Sequence, residues 1–211
     1  MMLNDTFSPE VAVPTIIPID EGELWLYPTF LTPGAADRAF TELQADIPWR
    51  QESITIFGKR YRQPRLIAWY GDTGKTYAYS GLVLDPRPWT PTLLHLKTQI
   101  EVLVGSSFNS VLLNYYRDGQ DSMGWHSDNE PELGINPVIA SLSLGAKRRF
   151  CLRHRTRSDL ARVDVWLSHG SLLIMAGAIQ HHWRHAIPKT AKAIGPRINL
   201  TFRWLHDPCR G

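Results

Sequence analysis

What most constrains this chain is the stretch after Ser107. It holds "SVLLNYY", "PVIASLSL", "RRFCLRHR", "RVDVWLS", "SLLIMA", "HWRHAIP" and "RINLTFRW", short segments with turn residues between them. Strands this short, with little helix among them, must bury their faces against one another, which predicts a β-sandwich or jelly roll. The first half reads differently. "ELWLYPTFL" (23–31) predicts a strand, and "PGAADRAFTELQADI" (33–47) a helix started by proline. "SITIFGKRYRQPRLIAWYG" (53–71) predicts a hairpin with Phe57, Gly58 and Lys59 at or near its tip. "TPTLLHLKTQIEVLVG" (90–105) predicts a second helix, capped by Thr90, with Pro91 first and Gly105 past its end. Residues 1–20 lack periodicity and read as a loose lead, 21–106 as an extension and 107–211 as the core, together one compact domain.

With 43% hydrophobic and 20% charged residues, the composition is that of an ordinary globular protein. No apolar run approaches the roughly 18 residues of a membrane span, and no signal-peptide pattern opens the chain. Two cysteines, Cys151 and Cys209, give no disulfide framework and no CxxC zinc motif. A reducing, cytoplasmic setting (nuclear in a eukaryote) and a monomer are the expectations. The net charge of +3 hides an asymmetry: residues 1–46 carry −7 and the remainder +10. That field favours an anionic partner for the main body.

Two patterns carry chemistry. In "GWHSDNE", His126 and Asp128 face the same way if the segment is extended. They are two legs of a metal site that a second histidine would complete as a 2-His-1-carboxylate set, although an isolated H-x-D is as readily a hydrogen-bonded surface pair. In "RINLTFRW", Arg197, Asn199, Thr201 and Arg203 share one face, and Ile198, Leu200, Phe202 and Trp204 the other. Two arginines about 20 Å apart along such a strand could grip both ends of a short dicarboxylate, one fork to each carboxylate. Lys147 to Arg157 is a basic run in which Arg149, Cys151, Arg153 and Arg155 share a face, suited to phosphates if exposed.

Four segments, "LNYYRDGQDSMGWHSDNEPELG", "PVIASLSLGAKRRFCLRHR", "HGSLLIMAGAIQHHWRHAIPK" and "GPRINLTFRW", together resemble the AlkB family of Fe(II)/2-oxoglutarate dioxygenases, in its nucleic-acid dealkylating branch. The resemblance covers about 49–204 and is strongest from Asn114 onward. It implies an α+β, mainly β fold: a double-stranded β-helix (jelly-roll) core, with the N-terminal helix and hairpin extension forming a nucleotide-recognition lid. It implies Fe(II), 2-oxoglutarate and O2 as cofactor and co-substrates. The reaction implied is oxidative demethylation of bases such as N1-methyladenine and N3-methylcytosine in DNA, and in RNA, releasing formaldehyde, succinate and CO2. The alternative is the same chemistry on a protein or small molecule.

Carried over residue by residue, the resemblance makes His126, Asp128 and His185 the iron ligands, His185 because it alone stands in the "HAIP" frame. His182, three earlier, would face the other way on a regular strand. Asn114, Tyr116, Arg197, Asn199 and Arg203 would hold 2-oxoglutarate. Glu130 would accept from the amino group of the target base, and Tyr79 and His126 would sandwich that base once it is extruded. Tyr77 and Arg65 are further pocket candidates. Phe57 would be the wedge that fills the vacated gap in a duplex.

Overall fold

The structure, a computed structural model, describes residues 13–56, 59–74, 77–79, 82–84 and 86–206, with 54–56, 59–60, 77–79 and 82–84 described in backbone alone. The chain opens with strands β1 (Thr15–Ile16) and β2 (Glu23–Tyr27) and helix α1 (Pro33–Asp46). Two hairpins follow, β3 (Ser53–Ile56) with β4 (Lys59–Arg62), and β6 (Tyr77–Tyr79) with β7 (Leu82–Leu84). Strand β5 (Leu66–Gly71) lies between them, and helix α2 (Pro91–Val104) comes after. The second half comprises β8 (Ser110–Tyr116), β9 (Met123–His126), β10 (Ile139–Gly145), β11 (Arg148–His154), β12 (Val163–Leu167) and β13 (Ser171–Ala176). It ends with the short helix α3 (Ile179–His182), β14 (Trp183–Ile187) and β15 (Arg197–Arg203).

Both long helices form where their caps place them. Thr32 Oγ1 accepts from the Ala35 N–H, and Thr90 Oγ1 from that of Leu93, each at 3.3 Å, with proline in the first turn of both. Gly105 ends α2 at φ 70°, the left-handed conformation that favours glycine there.

Apart from the two hairpins, the strands make two antiparallel sheets. The large one runs β1-β2-β13-β10-β15-β8-β5 and the small one β12-β11-β14-β9. Their facing sides meet in one apolar layer, Leu24, Ile139, Leu173 and Met175 from the large sheet against Phe150, Leu152, Val165 and Trp183 from the small. The other side of the large sheet is covered by the helices, through Ala36, Ala39, Leu43, Leu93, Leu96 and Ile100. A sheet buried on both faces wants near-continuous apolar strands. That explains the apolar row of β15: Ile198, Leu200 and Phe202 lie fully buried on the helix side, beneath α1 and α2.

Two expectations need correction. Thr15–Ile16, within the expected loose lead, pairs with β2, which itself hydrogen-bonds to β13. The stretch 53–71 is not one hairpin: β3 and β4 pair with each other, while β5 leaves them to join β8 at the edge of the large sheet. The lead therefore contributes β1, and the extension β2 and β5, to the same sheet as the core, because an apolar strand such as Leu66–Gly71 is best satisfied where both its faces are buried.

Candidate metal centre and co-substrate cavity

Strands β9 and β14 pair at the centre of the site, with His126 and His185 as Cα partners and their ring centroids 4.3 Å apart. Phe150, on neighbouring β11, stacks on His185 at 5.1 Å and fixes that ring from the apolar side. The His126 Nδ1–H donates to the Gly124 carbonyl at 2.9 Å, which leaves Nε2 as a lone pair directed at the site. Asp128 lies just past β9, not on it. It reaches the same point because the chain turns toward Pro131–Leu133, a single turn of 3-10 helix.

Asp128 is buried and held by three hydrogen bonds with two partners. Its N–H donates to Gln180 Oε1 at 3.0 Å, and its Oδ2 accepts from Arg203 Nη2 and Nε at 2.7 and 3.2 Å. Its other oxygen, Oδ1, has no hydrogen-bond partner and stands 3.8 Å from His126 Nε2. One ligand atom each from His126, Asp128 and His185 lies within 4.8 Å of the others. A buried carboxylate oxygen without a donor, facing two imidazole nitrogens, is what a divalent transition metal satisfies. The charges are poised for it. Burial would raise the Asp128 carboxyl, but Arg203 and the two imidazoles bring it down to about 2. Burial, then the neighbouring His126, lowers His185 to about 3, and burial lowers His126 as well. The set is an anionic carboxylate with two neutral imidazoles, the protonation that metal binding needs.

Beside the triad a cavity opens between the sheets, lined by Asn114, Tyr116, Asn199 and Thr201 and closed by Arg197. Arg197 is fully buried, donates from Nη2 to Ser143 Oγ at 2.9 Å, and lies 5.1 Å from the centre of the Tyr116 ring. Its Nε and Nη1 have no hydrogen-bond partner. Burial, followed by the opposing effects of Tyr116 and Arg148, lowers this guanidinium only to about 10, so it stays charged near neutrality. Orphaned, charged, buried donors of this kind fit an anion of the co-substrate type.

Of the two arginines of β15, Arg203 turns Nε and Nη2 onto Asp128 Oδ2, whereas neither Nε nor Nη1 of Arg197 has a hydrogen-bond partner. Asn199 lines the cavity, but its amide donates to Ser141 Oγ and the Leu142 carbonyl and accepts from Thr201 Oγ1, so it braces the wall. Asn114 accepts from the buried Arg65 Nε at 2.7 Å, which places Arg65 behind the cavity wall. Glu130 starts the 3-10 turn, half-buried and apart from the lining residues. Tyr77 and Tyr79 share one face of β6, whose backbone alone is described. Phe57 lies outside the described residues.

Residues the pattern did not reveal complete the frame. Gln180 orients Asp128 from α3, and no spacing or motif marks it. Arg148, within the basic run but on the side of β11 that Phe150 and Leu152 share, is buried. It donates to the carbonyls of Asp118, Asp121 and Pro188, tying the loop that leads into β9 to the end of β14. His182 sits on a helical turn, not a strand, and joins Glu21 and His154 in a second cluster. There His154 Nδ1 accepts from the Thr156 and Arg157 N–H groups, so Nε2 carries the proton and donates to Glu21 at 2.8 Å. That tautomer makes a hydrogen-bonded clamp, with no nitrogen lone pair of His154 facing a metal.

A family model described as the 2OG-Fe(II) oxygenase superfamily matches residues 23–203. Among curated proteins, the cattle "Alpha-ketoglutarate-dependent dioxygenase alkB homolog 3" is 46% identical over 88% of this chain and 67% of its own length. The human protein of that name is 42% identical over 93% and 71%. The cattle "DNA oxidative demethylase ALKBH2" is 43% identical over 80% and 64%. A solved structure of OsALKBH1 superposes with a TM-score of 0.60 at 19% identity, covering 90% of this chain and all of that one, a likeness of fold.

Proposed function

The chain belongs to the AlkB family within the 2OG-Fe(II) oxygenase superfamily, and on that footing we propose that it oxidatively dealkylates N-alkylated bases in DNA, and in RNA as well. N1-methyladenine and N3-methylcytosine are the substrates proposed. The observation that carries the reading is the convergence of His126, Asp128 and His185 beside the orphaned donors of Arg197 in one cavity. His126, Asp128 and His185 would hold Fe(II), and Arg197, with Tyr116 beneath it, would hold a carboxylate of 2-oxoglutarate. The two facing antiparallel sheets support the double-stranded β-helix reading of the core.

With O2, the iron and 2-oxoglutarate supply the oxidation of the alkyl carbon on the ring nitrogen, which leaves as an aldehyde, formaldehyde from methyl, alongside succinate and CO2. The protein's own part is positional. Gln180 and Arg203 fix the Asp128 carboxylate from its backbone and from Oδ2, so Oδ1 faces the imidazoles. His126 is held by the Gly124 carbonyl and His185 by Phe150. The apolar layer of Leu152, Met175 and Ile187 beside the site excludes bulk water. A target base must leave its stack to reach this depth, and Tyr79 and His126 are the proposed faces between which it lies. Glu130 is proposed to favour the cationic methylated base over its neutral parent.

The test is to incubate the iron-loaded protein with 2-oxoglutarate, O2 and an oligonucleotide containing N1-methyladenine. Formaldehyde release with loss of one methyl mass is expected. Turnover of 2-oxoglutarate that leaves methylated DNA and RNA intact would refute the substrate.

A further inference from the structure

The small sheet has an outer face that the reaction described above does not use. Its inward side chains, Phe150, Leu152, Val165, Leu167, Trp183 and Ile187, are buried. By strand alternation Arg149 and Arg153 of β11, Asp164 and Trp166 of β12, Arg184 of β14 and Trp125 of β9 point outward. Trp166 is 52% exposed and Trp125 37%. Each carries a cation on its ring: Arg153 lies 4.4 Å from the centre of Trp125, and Lys147 5.6 Å from that of Trp166. Asp164 is the one outward carboxylate on these strands among the described residues, and it is paired with Arg149 and Arg162. Arg153, Arg184 and Lys147 meet no carboxylate among the described residues.

The expected row of phosphate-binding arginines is therefore modified. Arg149 is neutralised by Asp164, and Arg155 donates to Ser127 Oγ at the mouth of the site. What remains is a pair of exposed indoles at opposite edges of the sheet, set in an excess of positive charge. With β12 and β9 three strand spacings apart, the indoles are about 14 Å from each other across the sheet. Exposed rings between cations suit a ligand that alternates flat π-faces with anions. Trp125 adjoins His126 in the chain, so this face is continuous with the candidate active site.

We propose that the outer face of the small sheet is a track for single-stranded nucleic acid flanking the reactive base. Trp125 and Trp166 are its stacking posts, and Lys147, Arg153 and Arg184 its phosphate contacts. This rests on the nucleic-acid reading of the active site and extends it beyond the single extruded base. Trp166 and Lys147, at the far edge, engage strands long enough to cross the sheet and leave short ones unaffected.

Fluorescence anisotropy with the full chain, catalysis being blocked by omitting 2-oxoglutarate, measures affinity for unmodified single strands of about five and about fifteen nucleotides. The long strand is expected to bind more tightly, and Trp166→Ala with Lys147→Ala to remove that advantage, about tenfold, while lowering the salt dependence. Affinity for the short strand and turnover of a short methylated oligonucleotide stay unchanged. Trp166→Phe, which keeps a stacking ring, is expected to bind like the parent, and ultraviolet cross-linking to place the long strand on the 163–167 peptide. The proposal is overturned if the parent shows no length advantage, if the double variant keeps it, or if Trp166→Phe loses as much as Trp166→Ala. Competition by polyglutamate as effective as that by an oligonucleotide would mark a charge-only surface for an acidic protein, and overturns it too. Length-dependent binding without dealkylation would instead count against the proposed reaction, so the two failures are distinct.

Discussion

Replacing Gln180 with methionine removes its bond to the Asp128 N–H, a contact that touches no reacting atom, together with a weak donation to Met175 Sδ at 3.6 Å. Methionine matches glutamine in length and flexibility but offers no oxygen to the Asp128 N–H, which Gln180 Oε1 accepts at 3.0 Å. Asp128 is 1% exposed, so water does not replace the lost acceptor in place. An unsatisfied buried N–H costs about 1–3 kcal/mol, relieved only if the segment after β9 shifts and carries the carboxylate away from His126 and His185. With about 1.4 kcal/mol to a factor of ten, metal affinity should fall about tenfold to a hundredfold, the range for partners that orient ligands. Loss of 1–3 kcal/mol should also lower the melting temperature of the metal-free chain by some degrees, about 2–4 °C per kcal/mol. Calorimetric titration with Co(II) or Ni(II), which resist oxidation better than Fe(II), measures the affinity without turnover. Gln180→Glu keeps the acceptor and should bind metal more tightly than Gln180→Met. If Gln180→Met folds and binds metal like the parent, Gln180 does not position Asp128.

Other perturbations have equally definite outcomes. Arg197→Met removes a buried charge that lacks a carboxylate, so the protein without co-substrate should melt no lower, whereas the KM for 2-oxoglutarate should rise about tenfold or more; an unchanged KM would contradict the assignment. Burial opposes ionisation of Asp121, but hydrogen bonds from Arg117 more than reverse this and hold its carboxyl below the usual carboxylate range. Its contribution is present above the unfolded value, about 3.9, and is lost as pH falls through the lower folded value. Asp121→Asn should therefore cost about 1.5–3 kcal/mol at pH 7 and progressively less below about pH 4, read by urea unfolding across pH. Gly145→Ala places a Cβ against the Pro196 carbonyl and 2.8 Å from Phe40, at φ 86°; it should destabilise the fold and disturb Arg197, seen as a lower melting temperature with weaker 2-oxoglutarate binding.

Much of this architecture could be read along the chain, where local rules suffice. Thr90, Pro91 and Gly105 bound α2 because caps and φ preferences act within a turn. Arg197, Asn199, Thr201 and Arg203 share a face because alternation is enforced by the pleat. Contacts between distant residues were not legible. Arg203 meets Asp128 across 75 positions, and no pattern within β15 marks that partner. The contrast between His185 and His182 rested on a regular strand, yet Ile179–His182 is helical; His182 is instead turned toward Glu21 and His154. Arg148 belongs to a basic run by sequence and is buried by topology, because β11 begins beside the loop carbonyls that it satisfies. Gln180 carries no local signal at all.

The place of β15 has a further consequence. It runs between β10 and β8 inside a seven-stranded sheet, with helices packed on one side of it and the cavity on the other. Shifting its register by one residue would invert every side chain and break two ladders at once. The two hairpins, β3–β4 and β6–β7, are by contrast sheets of two strands each, outside both larger sheets. Descendants of such a chain can therefore trade hairpin residues without disturbing either ladder of β15, which is inherited intact. The division of labour between innovation and inheritance is drawn by strand order.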